Sequence, residues 1–201
     1  MKIVLLLLLT LNLIAVDEYS FSVGYGKASK SPLTEIISGN SYNNNHNKGL
    51  SVLSFNGGYL LKESLFDWPI DIYVKGGLSY FDEAGTRSNV YEVVLYIKAY
   101  YNLDFRDNRI RFGIGEGGSY TSDILFFEDE EAFVKNGNTA YYLNYIDMSV
   151  DFDLGRLVGH KEMNNTYIGW ALKHRSGIFG LINSVKDGGS NYNTVYLEKN
   201  F

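Results

Sequence analysis

The stretch PIDIYVKGGLSYFD, residues 69–82, alternates between two kinds of side chain along its whole length. One set of positions is aliphatic, aromatic or glycine: Ile70, Ile72, Val74, Gly76, Leu78 and Tyr80. The other set is mixed and includes charges: Asp71, Tyr73, Lys75, Gly77, Ser79 and Phe81. A period of two residues is that of a β-strand, whose successive side chains point to opposite faces. The stretch therefore predicts a strand with one apolar and one mixed face.

The same alternation recurs on both sides of this stretch. Further strands are predicted at about residues 18–26, 49–62, 91–103, 109–121, 140–154, 165–175 and 190–201. Between the fifth and sixth strands, FFEDEEAF at 126–133 favours one or two helical turns. The composition of 17 Tyr, 12 Phe and 2 Pro agrees, because aromatic residues favour strands and proline interrupts them. We predict an all-β chain of eight antiparallel strands.

One face of the predicted strands carries charges of both signs, whereas the opposite face is aliphatic and aromatic. The charged positions are Lys75, Glu92, Lys98, Arg111, Asp147, Asp151 and Glu198. The interior of an eight-stranded barrel is just wide enough for side chains to fill, so these charges would pair there and leave no pore. The apolar face would then contact lipid. A soluble lipid-binding barrel has the inverse arrangement, and alternation alone does not separate the two.

Two features favour the membrane. The predicted connections after strands one, three, five and seven are about 21, 6, 17 and 14 residues long, and those after strands two, four and six are about 5, 5 and 10. This alternation is typical of transmembrane barrels with long external loops and short periplasmic turns. The last residue, Phe201, shares its face with Val195 and Leu197, which resembles the insertion signal of outer-membrane proteins. Lys199 also falls on the lipid-facing side, near the periplasmic interface, where a lysine can snorkel. We predict an up-and-down transmembrane β-barrel.

The N-terminus predicts export. Lys2 precedes the apolar run IVLLLLLTLNLIAV, which has the length of a signal-peptide core and is too short and interrupted for a spanning helix. Residues 1–16 are therefore expected to be a cleaved signal peptide and residues 17–201 the barrel. This organisation predicts a multi-pass protein of the outer membrane of a Gram-negative bacterium.

Charge and cysteine content limit the chemistry. The net charge of −5 without a basic block argues against nucleic acid as a partner. The absence of cysteine excludes disulfides, thiol catalysis and a cysteine-based zinc site. We expect neither a cofactor nor a metal. Whether the barrel forms a homodimer is left open.

His174 and Ser176 are the candidate catalytic residues. They lie two apart on the seventh predicted strand, so they share a face at a spacing of about 6–7 Å along the strand. An imidazole in reach of a serine hydroxyl can take its proton and let the oxygen attack an acyl carbon. Their face is also that of Ile168, Trp170 and Leu172, which is the predicted lipid-facing side. A histidine there is costly unless it has a function.

Several segments resemble the outer-membrane lipid A deacylases, the acyloxyacyl hydrolase-like family. They are HRSGIFGL at 174–181, GGSNY at 188–192 with the closing strand, GIGEGGSYTS at 113–122 and LNYIDMSVDFDL at 143–154. The resemblance covers the C-terminal half, and in the N-terminal half it extends only to architecture. It implies hydrolysis of an ester-linked acyl chain of lipopolysaccharide in the outer leaflet. It also implies a Ser-His-acid triad on the outer surface, with His174 as base and Ser176 as nucleophile.

The chain departs from this family pattern at two places. Gly177 follows the serine where the family has asparagine, and the segment expected to hold the acid reads GGSN. Asp187 is the nearest carboxylate and the first candidate for the third residue, with Asn191 as a neutral alternative. An oxyanion hole could form from the amides of Gly177 and Gly180 together with the Asn183 side chain.

The functional prediction is a serine esterase acting on lipid A, and two alternatives accompany it. The first alternative is a non-catalytic small outer-membrane barrel, an adhesin or an envelope structural protein, because the expected acid is missing. The second is a soluble lipid-binding barrel.

Overall fold

A computed structural model describes residues 18–39 and 47–201 of the chain. The predicted signal peptide at 1–16 and His46 of the first long loop lie outside these residues. Every prediction about strands, faces and the His174–Ser176 pair falls within them.

Eight antiparallel strands form a closed barrel in which each strand pairs with its neighbours in the sequence and the first pairs with the last. Ser22 lies opposite Glu198 at this closure. The strands are β1 (Tyr19–Ala28), β2 (Ser51–Lys62), β3 (Ile70–Asp82), β4 (Val90–Phe105), β5 (Asn108–Thr121), β6 (Tyr142–Asp153), β7 (Thr166–Ser176) and β8 (Ser190–Asn200). The predicted all-β, eight-stranded up-and-down barrel is confirmed.

The helices lie in the connections. They are α1 (Leu33–Ile37), α2 (Phe126–Lys135) and α3 (Leu154–Val158), with short 3₁₀ turns at Leu65–Asp67 and Lys161–Met163. The predicted helical turns at 126–133 are confirmed as α2, and the connection between β6 and β7 contains α3 and a 3₁₀ turn. No helix among the described residues is long and apolar enough to cross a membrane. We call the end of the barrel that carries the loops after β1, β5 and β7 the external end, and the opposite end the periplasmic end.

The outer wall is a band of exposed apolar side chains. Leu78, Leu95 and Val195 are 62%, 65% and 61% exposed, in positions where a soluble protein would gain by burying them. Exposed tyrosines ring both edges of the band: Tyr25, Tyr91, Tyr120 and Tyr142 at the external end, and Tyr19, Tyr59 and Tyr101 at the periplasmic end. An apolar band flanked by aromatic girdles is the surface of a transmembrane barrel. This surface excludes the soluble barrel with an apolar interior.

The interior is filled by ion pairs, as the charge pattern predicts. All seven charged residues assigned to the inner face are buried. Glu198 lies at the centre, with its carboxylate 2.5 Å from Lys75 Nζ and 3.0 Å from Arg111 Nη2. Arg111 also donates two hydrogen bonds to Asp151, and Lys98 pairs with Asp147. The void lined by Lys98, Asp147 and Glu198 is only about 20 Å³, room for about one water molecule, so it forms no pore.

Lys199 corrects one detail of the sequence analysis. It is on the outward side of β8, as predicted, but it is only 6% exposed and does not extend into a lipid interface. Its ammonium group instead donates to the Asn164 carbonyl at 2.7 Å, in the connection that follows α3. The lysine therefore anchors the periplasmic connection to the closing strand.

The external mouth of the barrel is closed by α2. Leu125 and Phe127 bury their side chains in an apolar cluster with residues of β1, β2, β3, β4 and β8, among them Val52, Phe81 and Tyr192. The Phe126 amide at the start of α2 donates to the Glu83 carboxylate at 2.8 Å, which satisfies one of the free N–H groups of the first turn. The helix is thus a fixed part of the barrel end from which β8 begins.

Candidate functional site

His174 and Ser176 lie on the outer wall at the external end of β7. The side chains of Tyr167, Lys173 and Arg175 are buried in the interior, so the alternate positions, which include His174 and Ser176, point outward. Strand pairing places Asn191 of β8 directly opposite His174 and Asn144 of β6 directly opposite Ser176. The predicted position of the pair on the lipid-facing side is confirmed. Polar side chains from three strands therefore meet at one place in the apolar wall.

The orientation of the His174 ring follows from a chain of two hydrogen bonds. The Asn191 Nδ2 group donates to the Ser31 carbonyl at 3.0 Å, and a carbonyl can only accept. Asn191 therefore turns its Oδ1 toward His174, whose Nδ1 lies 2.7 Å away. Because an amide oxygen is also only an acceptor, Nδ1 must carry the proton. In this tautomer the other nitrogen, Nε2, carries the lone pair and can act as a base.

Ser176 is the neighbour of this base along the strand. No hydrogen bond joins the Ser176 hydroxyl to the imidazole across the described part of the chain. In free enzymes, catalytic hydrogen bonds are often open and tighten when the substrate binds. The two side chains share the outward face of β7, and no direct hydrogen bond between them is present among the described residues.

Asp187, the first candidate for the acid, does not lie against the histidine. Its Oδ1 is 3.4 Å from Lys135 Nζ at the end of α2, whereas the hydrogen bond to His174 comes from Asn191. The reason is the strand register: Asn191 is in β8 directly opposite His174, while Asp187 is still in the loop before the strand begins. The neutral alternative, Asn191, is the residue that contacts His174. The two inner carboxylates Glu198 and Asp147 point away from the site, as predicted.

The three predicted oxyanion donors differ in their availability. The Gly180 amide donates to the Gly177 carbonyl at 3.2 Å, and the Asn183 side chain donates to the Tyr142 carbonyl at 2.8 Å. These two donors are therefore already engaged within the loop. The Gly177 amide has no backbone acceptor among residues 18–39 and 47–201, and it immediately follows Ser176. Gly177 is the one predicted donor that remains suited to the role.

The sequence analysis missed three polar residues on the outer wall. Asn144 and Asn193 flank the site on β6 and β8, and Glu116 of β5 is exposed two strands away, in the same row as Ile146 and His174. The outward positions of Glu116 and Asn144 could have been predicted from the sequence. Glu116 follows Ile114 and Asn144 precedes Ile146, each at the two-residue spacing of outward side chains. Which residues of the adjacent strands lie beside them depends on the strand register.

Behind the site, α2 is bound to the barrel by a buried acid. Glu128 is fully buried, accepts a hydrogen bond from Ser190 Oγ at 2.7 Å and lies 3.0 Å from Arg175 Nε. Burial raises the pKa of Glu128 from 4.5 to about 7, although Arg175 and Ser190 act in the opposite direction. Burial also raises the pKa of Glu83, which binds the first turn of the same helix.

The docking of α2 is therefore expected to weaken as the pH rises. Because the pKa of Glu128 is higher in the docked state, protonation of Glu128 stabilises docking. This stabilisation is lost as the pH rises from 4.5 to about 7. Hydrogen exchange of the α2 amides, corrected for intrinsic rates, should be faster at pH 8 than at pH 5 by roughly one to two orders of magnitude. Glu128→Gln should reduce this difference, and Glu83→Gln/Glu128→Gln should remove it. The control Glu131→Gln, on the solvent side of α2, should retain it, and a pH-independent wild type would contradict the prediction.

The contact between Asn191 and His174 leads to a second prediction, for the esterase activity predicted from the sequence. Asn191→Leu removes the hydrogen bond that orients His174, and a side-chain hydrogen bond of about 1–3 kcal/mol corresponds to a roughly 5- to 150-fold loss in kcat. Asp187→Asn should leave kcat within a factor of about two, as for most surface changes. Both are measured as ester hydrolysis by the purified, folded barrel. A larger loss of kcat in Asp187→Asn than in Asn191→Leu would indicate that Asp187 is the acid.

The fold and the outward-facing site define a transmembrane β-barrel of the outer-membrane type with a His-Asn pair on its lipid-facing wall. Among solved structures, the outer membrane enzyme PagL is similar, with a TM-score of 0.61 over 90% of this chain and 99% of that chain, at 9% sequence identity. Neisserial surface protein A (NspA) is similar with a TM-score of 0.50 over 92% of this chain and 98% of that chain, at 11% identity. No family model and no curated protein sequence matches the chain. At these identities the similarity shows the fold alone.

Proposed function

We propose that this protein is an outer-membrane serine esterase that hydrolyses an ester-linked acyl chain of lipid A. The observation that carries the proposal is the His174 ring, which Asn191 holds in the tautomer with its lone pair on Nε2, on the same outward face as Ser176. A histidine on the lipid-facing wall is costly unless it has a function, which favours a functional reason for the pair.

The proposed reaction is acyl transfer through a covalent intermediate. His174 Nε2 takes the proton from Ser176 Oγ, and the oxygen attacks the ester carbonyl carbon. The tetrahedral intermediate collapses as the imidazolium returns the proton to the departing sugar hydroxyl. Water, deprotonated by His174, then attacks the acyl-serine. The serine–acyl bond breaks, the imidazolium returns the proton to Ser176 Oγ, and the fatty acid is released. Asn191 keeps the imidazole in one tautomer throughout and stabilises the imidazolium with its amide dipole.

The position of the site favours a lipid of the outer leaflet as substrate. Ser176 is the last residue of β7 at the external end, and the wall toward the membrane interior continues with Trp170 and Ile168, which are exposed and apolar. An acyl chain could lie along these residues while its ester linkage reaches the serine. Lipid A is the acyl ester that the family resemblance of residues 174–192 implies, and PagL provides an example of an enzyme with this fold.

The test is the acylation of lipid A in living cells. Lipid A from an outer-membrane-competent host that expresses the protein should lose the mass of one acyl chain relative to the host with an empty vector. Ser176→Ala, expressed to the same level in the outer membrane, should restore the host pattern. Identical mass spectra for all three strains would reject lipid A deacylation. The same fractions allow N-terminal sequencing, which should place the first residue of the mature barrel after residue 16.

A second candidate is a non-catalytic barrel that acts through its external loops. It is favoured by two observations: the residue bound to His174 is the neutral Asn191, and no hydrogen bond joins Ser176 to His174 among the described residues. NspA, a neisserial surface protein, is similar in fold. This candidate predicts unchanged lipid A in the cell experiment and a phenotype that survives Ser176→Ala but is lost when the external loops are shortened.

A further inference from the structure

Asn144 has an unexplained amide beside the proposed nucleophile. It lies on the outward side of β6, since its neighbours Leu143 and Tyr145 are buried in the interior. Despite this outward position it is only 5% exposed. Its Nδ2 group is buried and has no hydrogen-bond partner among the described residues. A buried donor without an acceptor costs about 1–3 kcal/mol, so the arrangement calls for an acceptor that is absent from the free protein.

The strand register brings this amide to Ser176. The two residues are directly opposite each other in the β6–β7 ladder. Cβ atoms of such a pair lie about 4.5–5.5 Å apart on the same face. The carbonyl oxygen of an ester under attack by Ser176 Oγ would therefore come within reach of the Asn144 amide. The Gly177 amide is the next backbone donor in the chain after the nucleophile.

We infer that Asn144 is an oxyanion donor of the proposed esterase. As Ser176 Oγ forms its bond to the acyl carbon, the π electrons of the carbonyl move onto its oxygen. Asn144 Nδ2–H donates to this developing oxyanion, with the Gly177 N–H as a second donor. When the tetrahedral intermediate collapses, the electron pair reforms the carbonyl and expels the sugar oxygen, which takes the proton from His174. The inference rests on the proposed function and names a residue that this function alone does not require.

The surroundings of Asn144 fit a donor that is fixed in advance. It projects from a strand that is paired on both sides, between β5 and β7, so little reorganisation accompanies the reaction. The loop after β7 is held close to it, because Asn183 is bound to the Tyr142 carbonyl and Val185 packs against Gly177. A Cβ atom at Gly177 would lie 2.0 Å from the Val185 carbonyl oxygen, so no other residue fits there without moving the loop.

Asn144→Leu tests the inference, because leucine has a similar size and no donor. Hydrolysis by the purified barrel should lose about 10²- to 10³-fold in kcat, with KM within about threefold. Dodecylboronic acid, which forms a tetrahedral anionic adduct with an active serine, should bind more weakly by a similar factor. Asn193→Leu is the matched control, since it removes another buried outward amide without a partner, beside Leu172 and not beside Ser176. It should keep kcat within about twofold.

The outcomes separate the inference from the function on which it rests. If Ser176→Ala is inactive and Asn144→Leu keeps kcat and boronate affinity within about threefold of wild type, Asn144 is not an oxyanion donor. If Ser176→Ala is as active as wild type, the proposed function itself fails. Folding is monitored by the heat-dependent shift in gel mobility, and rates are expressed per folded barrel. Should Asn144→Leu not fold, Asn144→Asp replaces it, since the carboxylate has the same shape and repels an oxyanion, and wild-type kcat in this variant would overturn the inference.

Discussion

Replacing Ser176 with alanine is expected to lower kcat for acyl-ester hydrolysis by about 10⁴- to 10⁶-fold. The hydroxyl is the protein group that forms a bond to the acyl carbon in the proposed reaction. Without it, His174 could at most assist a water molecule, and the oxyanion donors would supply the remaining acceleration. The measurement is fatty acid released from lipopolysaccharide by the purified barrel in mixed micelles.

His174→Ala provides the internal check on this prediction. Nucleophile and base act as one unit, so either single replacement should cost about as much as both together. The double variant Ser176→Ala/His174→Ala should therefore be no slower than the slower single variant. A Ser176→Ala enzyme that keeps more than about a tenth of wild-type kcat would place the nucleophile elsewhere. Full multiplication of the two single effects would show that the residues act independently.

Glu198→Ala is expected to lower the free energy of unfolding by about 3–5 kcal/mol, the usual cost of removing one partner of a buried ion pair. Two cations depend on this carboxylate: Lys75 Nζ at 2.5 Å and Arg111 Nη2 at 3.0 Å. Tyr100 also donates to it at 3.2 Å. Its removal leaves Lys75 without its buried counter-ion, while Arg111 retains Asp151.

Urea titration of the barrel in lipid vesicles, followed by tryptophan fluorescence, measures this effect. Glu198→Gln keeps an acceptor of nearly the same shape and should lose less than Glu198→Ala. Asp104→Ala is the matched control, because it breaks solvent-exposed pairs with Arg109 and Arg156, and such pairs contribute at most about 1 kcal/mol. Equal losses in Glu198→Ala and Asp104→Ala would show that the interior ion pairs do not hold the barrel together.

Strand positions and faces could be predicted because a barrel repeats one simple rule. Each strand alternates between lipid and interior, so parity alone assigns Lys75 and Glu198 to the inside and His174 to the outside. The closing pair of β1 and β8 then follows from the even strand number. Parity cannot say which charges meet, since Lys75 and Glu198 are 123 positions apart in the chain and come together only through barrel closure and the tilt of the strands.

The third residue of the site shows where sequence proximity misleads. Asp187 is a carboxylate close to Ser176 in sequence, but its loop is bound to α2 through Lys135, and β8 brings Asn191 to His174 instead. The pairing of Asn144 with Ser176 depends in the same way on the register of β6 and β7, which is set by the connection at 154–165. That connection contains α3 and a 3₁₀ turn, and its geometry is not encoded in the alternation of the strands.

The outward orientation of His174 and Ser176 has a kinetic consequence for the proposed enzyme. A site on the outer wall is reached by lateral diffusion in the plane of the leaflet, without a channel and without transfer of the lipid into water. The relevant substrate concentration is then the mole fraction of the lipid in the surface, and dilution with an inert lipid or detergent should slow the reaction at constant bulk concentration. The ion-paired interior, whose central void is only about 20 Å³, fits this arrangement, because a site on the outer wall makes no demand on the lumen.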